Sequence, residues 1–487
     1  MFLEGAAELT NTDAGQDHSA ADAAVEVIDG DKKVNRFWIR FLPESVQQRM
    51  SGRHNLQAIL GNSTWLFLDK IIRMGVGLIV GVWVARYLGP GQFGLLNYAM
   101  AFTALFGAVA TLGLDGIVIR ELVKSSERRD VILGSAFVLK LMGASIAFLS
   151  IMVAITVMRP GQTLTFWVVG LSASALIFQS LNVIDLLFQS RVESRYTVYA
   201  TNAAFLLITV LKVGLLLYGA SLLAFAGATL GEIVLSSTFF LVAYRANHMS
   251  VWAWRPRWQE MRTLLSAGWP LMLTGISIMI SMRADQVLIG QSLSDKQVGI
   301  YSAAAKIAEI WYFIPLAIAG STFPLLVESK KQGEEIYYQR LQSLYNVLVL
   351  LPIVVGLIMA VLAGPIVRLL YGPAYIGSAR VLSVLIWSGV PVSFGCAWAN
   401  WMLLENRTRM MFFFQLATAV TNVLLNLVLI PRFGIMGSAY ATLISYWLGS
   451  VGLFAIMKSQ HKALAMIAKA VFPYWLFYRP NTRSTPR

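Results

Sequence analysis

Thirteen ionisable side chains sit inside stretches otherwise apolar enough to cross a membrane, and they are the residues that could do chemistry. The first such stretch holds Asp69, Lys70 and Arg73, with Asp69 and Arg73 four apart and so on one helix face. Asp115 and Arg120 share the second, and Lys140, Asp185, Lys212 and Glu232 occupy the next four singly. Arg283 and Asp285 lie in the seventh, and Lys306 and Glu309, three apart, in the eighth. A charge at membrane depth costs roughly 2.5–3.5 kcal/mol on insertion scales, so such groups usually face a cavity or a partner. For Arg73, Lys212, Arg283, Asp285 and Lys306 the reading is a water-filled cavity. For Asp69, Lys70, Arg120 and Asp185, near predicted cytoplasmic ends, pairing or snorkelling serves as well. Seven cations against six acids make a mixed, slightly basic interior, suited to an anionic substrate. The expected substrate-binding cations are Arg73, Lys212, Arg283 and Lys306. Asp69, Asp285 and Glu309 are the candidates for coupling to H+ or Na+, or for pairing with those cations.

Other chemistries find no residues to carry them. All four histidines (His18, His54, His248, His461) lie in tails or inner loops, which excludes a histidine proton relay in the membrane. No H-E-x-x-H, Walker A or G-x-S-x-G pattern occurs, so neither hydrolase chemistry nor ATP hydrolysis has support. The single cysteine, Cys396, rules out a disulfide framework and a thiolate metal site. No cofactor and no catalytic residue is expected.

The elements that position these residues are membrane helices. Of 487 residues, 57% are hydrophobic and only 13% charged, against about 25% charged in a soluble protein. About twenty apolar residues span a hydrocarbon core. On that basis the spans are predicted at 64–87, 94–121, 131–158, 163–189, 196–218 and 221–244, then 266–290, 298–326, 342–363, 381–404, 410–431 and 434–457. With a cytoplasmic N-terminus, 26 Lys and Arg fall on the inner side and six on the outer (Arg86, Arg159, Lys296, Arg368, Arg380, Arg432). Both termini are then cytoplasmic, and the net charge of +14 marks the inner face, not nucleic acid. The longest outer connection, Gly364 to Arg380, has 17 residues, too few for a soluble catalytic domain. Residues 1–31 carry eight acids and no Lys or Arg, the composition of a disordered tail. Lys32 to Arg53 is basic and partly apolar, as a surface helix on an anionic leaflet would be. Val471 to Tyr478 is too short to span and suits the interface.

A Gly/Pro turn at Arg86 to Tyr98, R-Y-L-G-P-G-Q-F-G-L-L-N-Y, returns in degenerate form at Leu293 to Ser302. At an offset of 205, Leu88 meets Leu293, Gln92 meets Gln297 and Gly94 meets Gly299. Two related halves in parallel sense follow: 62–262 and 263–458, flanked by tails 1–61 and 459–487.

The turn Ala85 to Tyr98 resembles the first-loop signature of the polysaccharide flippases of O-antigen and exopolysaccharide synthesis, the Wzx type. L-L-Y-G at Leu369 to Gly372 is similar to a second family motif, and N-x-x-x-N-x-x-L-I-P at Asn422 to Pro431, continuing through Gly434, Gly437, Ala439 and Thr442, to a third. The likeness covers about residues 60–460. It implies an all-α fold of two six-helix bundles around a central cavity, shared with multidrug exporters of the MATE type and the lipid II flippase. It also implies a cargo, an undecaprenyl-diphosphate-linked oligosaccharide moved across the bacterial inner membrane by alternating access. A polysaccharide polymerase and a chain-length regulator are the implied partners, besides membrane lipids. The motifs themselves read as structural, with small residues for close helix approach and asparagines hydrogen-bonding between helices. The alternative is an ion-coupled MATE-type drug exporter, whose cationic cargo favours an acid-dominated cavity. A glycan polymerase or ligase needs larger outer loops than this chain has.

Overall fold

The computed structural model describes residues 54–453 other than 406, together with Met466; the side chains of 54–71, 194 and 408 lie outside it. So do the expected acidic tail, the basic stretch that follows it and, Met466 apart, the tail at 459–487. Every regular element among the described residues is helical, as membrane burial demands of a chain that must satisfy its own backbone.

Sixteen α-helices follow in order. In the first half they are α1 (His54–Leu105), α2 (Gly107–Thr111), α3 (Asp115–Lys124), α4 (Arg129–Met158), α5 (Thr163–Gln179), α6 (Val183–Ser190), α7 (Ser194–Leu217) and α8 (Leu222–Ala246). In the second half they are α9 (Trp258–Ser292), α10 (Asp295–Ile310), α11 (Phe313–Gln332), α12 (Glu334–Tyr371), α13 (Gly377–Leu385), α14 (Gly389–Leu404), α15 (Thr408–Phe433) and α16 (Ile435–Trp447). Ten stretches among the described residues are long and apolar enough to cross a membrane. Gly89, at φ 67°, divides α1 into two helices, with Pro90 opening the second, where its missing N–H costs nothing. That separates the spans predicted at 64–87 and 94. The twelfth, beginning at Gly434, runs through α16 into a π-turn at Leu448–Gly452.

Two spans differ from expectation in being broken. The span predicted at 94–121 stops at Thr111 and restarts at Asp115, with Leu112 and Gly113 both at positive φ. The cause is a helix crossing. A Cβ on Gly113 would stand 2.6 Å from the Met272 backbone nitrogen, and one on Gly268 would stand 2.7 Å from the Leu112 carbonyl oxygen. The chain bends where α9 meets it backbone to backbone, and glycine supplies both the left-handed φ and the missing side chain. In the second half the span predicted at 298–326 breaks at Trp311–Tyr312, between α10 and α11. Short 3-10 turns at Ser180–Asn182 and Ile386–Ser388 likewise recur in corresponding spans. The repeat seen weakly in sequence therefore extends to the irregularities of the helices.

Three apolar cores organise the molecule. The largest unites both halves at the predicted outer end, from Leu88, Phe93, Ile155 and Phe225 to Val298, Val367, Tyr375 and Ile430. At the opposite end two cores stand apart. One joins Leu114, Leu133, Phe188 and Tyr244 to Met261 and Leu264 at the start of α9; the other holds Tyr337, Tyr345, Phe394 and Trp401. The link between the halves is pinned to the first of these: Arg255 N donates to Asp130 O at 3.1 Å, Arg257 N to Ser135 Oγ at 3.1 Å, and Arg128 pairs with Glu260.

Candidate functional site

The polar residues of α9 and α10 form the centre of the site. Arg283 grips Glu309 with both terminal nitrogens, Nη1 to Oε1 at 3.1 Å and Nη2 to Oε2 at 3.2 Å, a bidentate geometry that fixes the fork in one orientation. Each side chain remains about a quarter exposed, at 28% and 27%, so a competing anion can reach the guanidinium. Lys306 lies about one turn before Glu309 on α10. Its Nζ stands 4.6 Å from the centroid of the Phe93 ring, within cation–π distance. No ion pair to Lys306 occurs among the described residues. Lys212 pairs with Glu232 at 3.2 Å.

Two of the four expected cations, Arg283 on α9 and Lys306 on α10, are thus grouped with Glu309, while the third, Lys212 on α7, is held by Glu232. The fourth, Arg73, stands apart from them: its Nε donates to Asn202 Oδ1 at 3.0 Å, and its guanidinium covers the Phe205 ring at 5.2 Å. Asp69 belongs to α1, but its side chain lies outside the described residues. Asp115 pairs with Lys140, which is 4% exposed, while Asp185 accepts from Gln189 and Thr197.

Asp285 occupies a different setting from Arg283, two residues away on the same helix. It is 3% exposed and enclosed by neutral groups. Its Oδ1 accepts from Asn426 Nδ2 at 2.9 Å; its Oδ2 accepts from Tyr301 at 2.6 Å and from Thr442. Ser438 Oγ donates to Asn426 Oδ1 at 2.6 Å, and Asn422 Nδ2 donates to Ser445 Oγ at 3.3 Å. A buried carboxylate needs such donors to offset its desolvation. The asparagines do bond between helices, as their spacing implied, and they do so around an acid. All the side-chain groups turned to Asp285 are hydrogen-bond donors, which satisfy a charged carboxylate without a metal ion. A cavity of about 20 Å³ lined by Asp285, Glu309, Tyr301, Tyr312, Gln286 and Thr442 connects this acid to the Arg283 partner, with room for about one water.

At the predicted outer end the halves are fastened by residues that sequence reasoning used only as topology markers. Arg159, its side chain 6% exposed, pairs with Asp295 at 2.7 Å, donates to Gly290 O at 2.6 Å and lies 3.9 Å over the Tyr98 ring. Gln291 Nε2 donates to Tyr98 OH at 2.6 Å. Arg86 donates to the carbonyls of Leu369 and Leu370, and Tyr375 OH to Ala85 O at 2.7 Å. Burial holds the Tyr375 phenol above its ordinary range, so it remains a donor. The first turn motif and L-L-Y-G are therefore in direct contact. Below them α1 crosses α10 through glycine: a Cβ on Gly94 would fall 1.7 Å from Asp295 O, and one on Gly299 would fall 2.0 Å from Pro90 O. The two glycines paired by the 205-residue repeat are each other's neighbours in space. The turn, read from sequence as structural, is thus a point of direct contact between the halves. No local sequence signal marks Arg159 and Asp295, which are 136 positions apart.

A family model described as polysaccharide biosynthesis protein matches residues 59–330, more than half of the chain. The protein belongs to this family. Among its relatives is the Probable flippase AglR of Haloferax volcanii, 26% identical over 406 residues, covering 79% of this chain and 80% of that protein. Among solved structures, an inward-facing multidrug resistance MATE family transporter of the MOP superfamily superposes with a TM-score of 0.67 at 15% identity, over 83% of this chain and 95% of that one. The lipid II flippase MurJ in an inward closed conformation does so with a TM-score of 0.63 at 15% identity, over 86% and 94%. The polysaccharide biosynthesis family member thus has the MATE-like fold, an all-α architecture with ten candidate membrane spans among the described residues.

Proposed function

We propose that the protein is a flippase that moves a lipid-linked oligosaccharide, built on undecaprenyl diphosphate, across the bacterial inner membrane for surface polysaccharide synthesis. The observation that carries this reading is the bidentate fork of Arg283 on the partly exposed Glu309, with Lys306 one helical turn away on α10 and without an ion-pair partner among the described residues. A diphosphate offers two or more negative charges and several acceptor oxygens. It matches the bidentate fork of Arg283 better than a monoanion or a cationic drug does. The Haloferax relative carries the name flippase, which supports the same class.

Separate cores at one end and a shared core at the other support a state open to the cytoplasm, with both termini there. Asp285, enclosed two residues from Arg283, is the coupling group in this reading. A cation or proton held there would act on Arg283 through α9 and through the small cavity shared with Glu309. The competing reading, a drug exporter, expects acids to dominate the centre, whereas Arg283 and Lys306 match Glu309 and Asp285 there in number.

Arg283→Ala is the test. Glycan export should fall to background while the protein still reaches the membrane, and Arg283→Lys, which keeps charge but loses the fork, should export at an intermediate rate. Normal export by Arg283→Ala would remove this residue from substrate binding.

A further inference from the structure

Lys306 and the outer seal meet at a single ring. Phe93 is 2% exposed and belongs to the repeated turn motif, one residue before Gly94. Its face receives the Lys306 ammonium, 4.6 Å from the centroid. The same ring packs edge to face on Tyr375, with centroids 6.0 Å apart and planes at 80°. Tyr375 in turn holds Ala85 O at 2.7 Å and packs on Tyr371 of the L-L-Y-G motif at 5.3 Å. Lys306 has no anionic partner of its own among the described residues, since Glu309 is engaged by Arg283 and Glu232 by Lys212.

We propose that Phe93 is a positioning residue that parks Lys306 in the empty carrier and releases it to the anionic headgroup of the cargo, loosening the outer seal as it does so. The inference rests on the diphosphate reading above and adds a route from cargo to gate. An ammonium held by a ring quadrupole is bound less firmly than one offered two phosphate groups, so the exchange runs toward the cargo. Once Lys306 leaves, Phe93 loses the cation on its face, and its edge contact to Tyr375 is less firmly held. The signal travels about two helical turns along α10, from Lys306 to Gly299, where α10 and α1 touch through glycine. Cargo arriving from the cytoplasmic side would thereby favour opening on the other.

The test uses the full chain in nanodiscs, with Cys396→Ser removing the native thiol and Leu88→Cys, in the outer core, as a reporter for a water-soluble maleimide. Farnesyl diphosphate is the probe and farnesol the uncharged control; binding is measured separately with radiolabelled probe. Farnesyl diphosphate, and not farnesol, should speed labelling by about 2- to 30-fold, the factor a cation–π contact of this kind is worth. Phe93→Trp, which keeps a ring for the ammonium, should respond as the parent does. Phe93→Leu should label fast without probe and gain nothing from it, and Lys306→Gln, which takes the ammonium off the ring for good, should likewise label at one fast rate with or without probe. A ring that only filled space would give the opposite pattern, with Phe93→Trp disrupted and Phe93→Leu still responsive. Should Phe93→Leu fail to fold, the Lys306→Gln and Phe93→Trp arms carry the same test. Probe binding with a parent-like response in Lys306→Gln or Phe93→Leu would overturn the switch and leave the diphosphate reading intact. No probe binding by the parent would overturn both.

Discussion

Asp285 and Arg283 show how far two neighbouring residues can differ. One is sealed among amide and hydroxyl donors; the other faces a partly open acid. Substitution separates the structural role of Asp285 from its role in coupling. Asp285→Ala leaves the donors of Tyr301, Asn426 and Thr442 without their acceptor, and an unsatisfied buried donor costs about 1–3 kcal/mol. Asp285→Asn keeps an acceptor and removes the charge. Thermal unfolding in detergent should therefore drop clearly for Asp285→Ala and little for Asp285→Asn, while both lose the dependence of transport on an ion gradient. An Asp285→Asn protein that transports with unchanged ion dependence would exclude this residue from coupling. At this scale the sequence was partly legible. Charged residues in apolar stretches announced Arg283, Asp285, Lys306 and Glu309, because insertion cost makes them conspicuous. It could not separate a caged acid from a cavity cation two positions away, since the cage comes from Tyr301 and from Asn426 and Thr442, about 140 and 157 positions off.

The helices were legible as spans and illegible as paths. Hydropathy marks apolar length and is blind to a break that stays apolar, so Leu112–Gly113 and Trp311–Tyr312 passed unseen. Their causes are tertiary: at Gly113 it is the passage of α9 against the backbone. The crossing of α1 and α10 belongs to the same scale and makes a sharp prediction. A methyl group on Gly94 or Gly299 has no space without parting the helices, and overpacking of this kind costs about 1–3 kcal/mol. Gly94→Ala and Gly299→Ala should each expose the outer end, read as faster maleimide labelling of Leu88→Cys, whereas Gly91→Ala, with open space around it, should label as the parent does. Equal labelling for all three would mean that the crossing is no barrier. The motif turn, read from sequence as a structural feature, is in the fold a contact between the halves.

On the scale of the whole molecule, the asymmetry of the cores is the central fact. One shared core closes one end, and at the other two cores stand apart, with the start of α9 packed into the first of them. In the alternating-access reading proposed above, Arg159–Asp295, Arg86 and Tyr375 are the contacts that would have to yield for the opposite state. Two halves were readable from the repeat and from the order of the spans. Their mode of contact was not, because Arg159 and Asp295 carry no pattern that distinguishes a latch from a loop charge. If these contacts are the latch, Arg159→Gln should shift the population toward the outer-open form, and rapid labelling of Leu88→Cys in that background would report it; unchanged labelling would place the latch elsewhere.

The most direct test of the account is the rate at which a fluorescent undecaprenyl-diphosphate-linked oligosaccharide crosses the bilayer of proteoliposomes, read by the fraction protected from a membrane-impermeant quencher. The account predicts crossing well above protein-free vesicles, lost in Arg283→Ala at equal reconstitution. A rate equal to that of protein-free vesicles, with the protein folded and inserted, would contradict it.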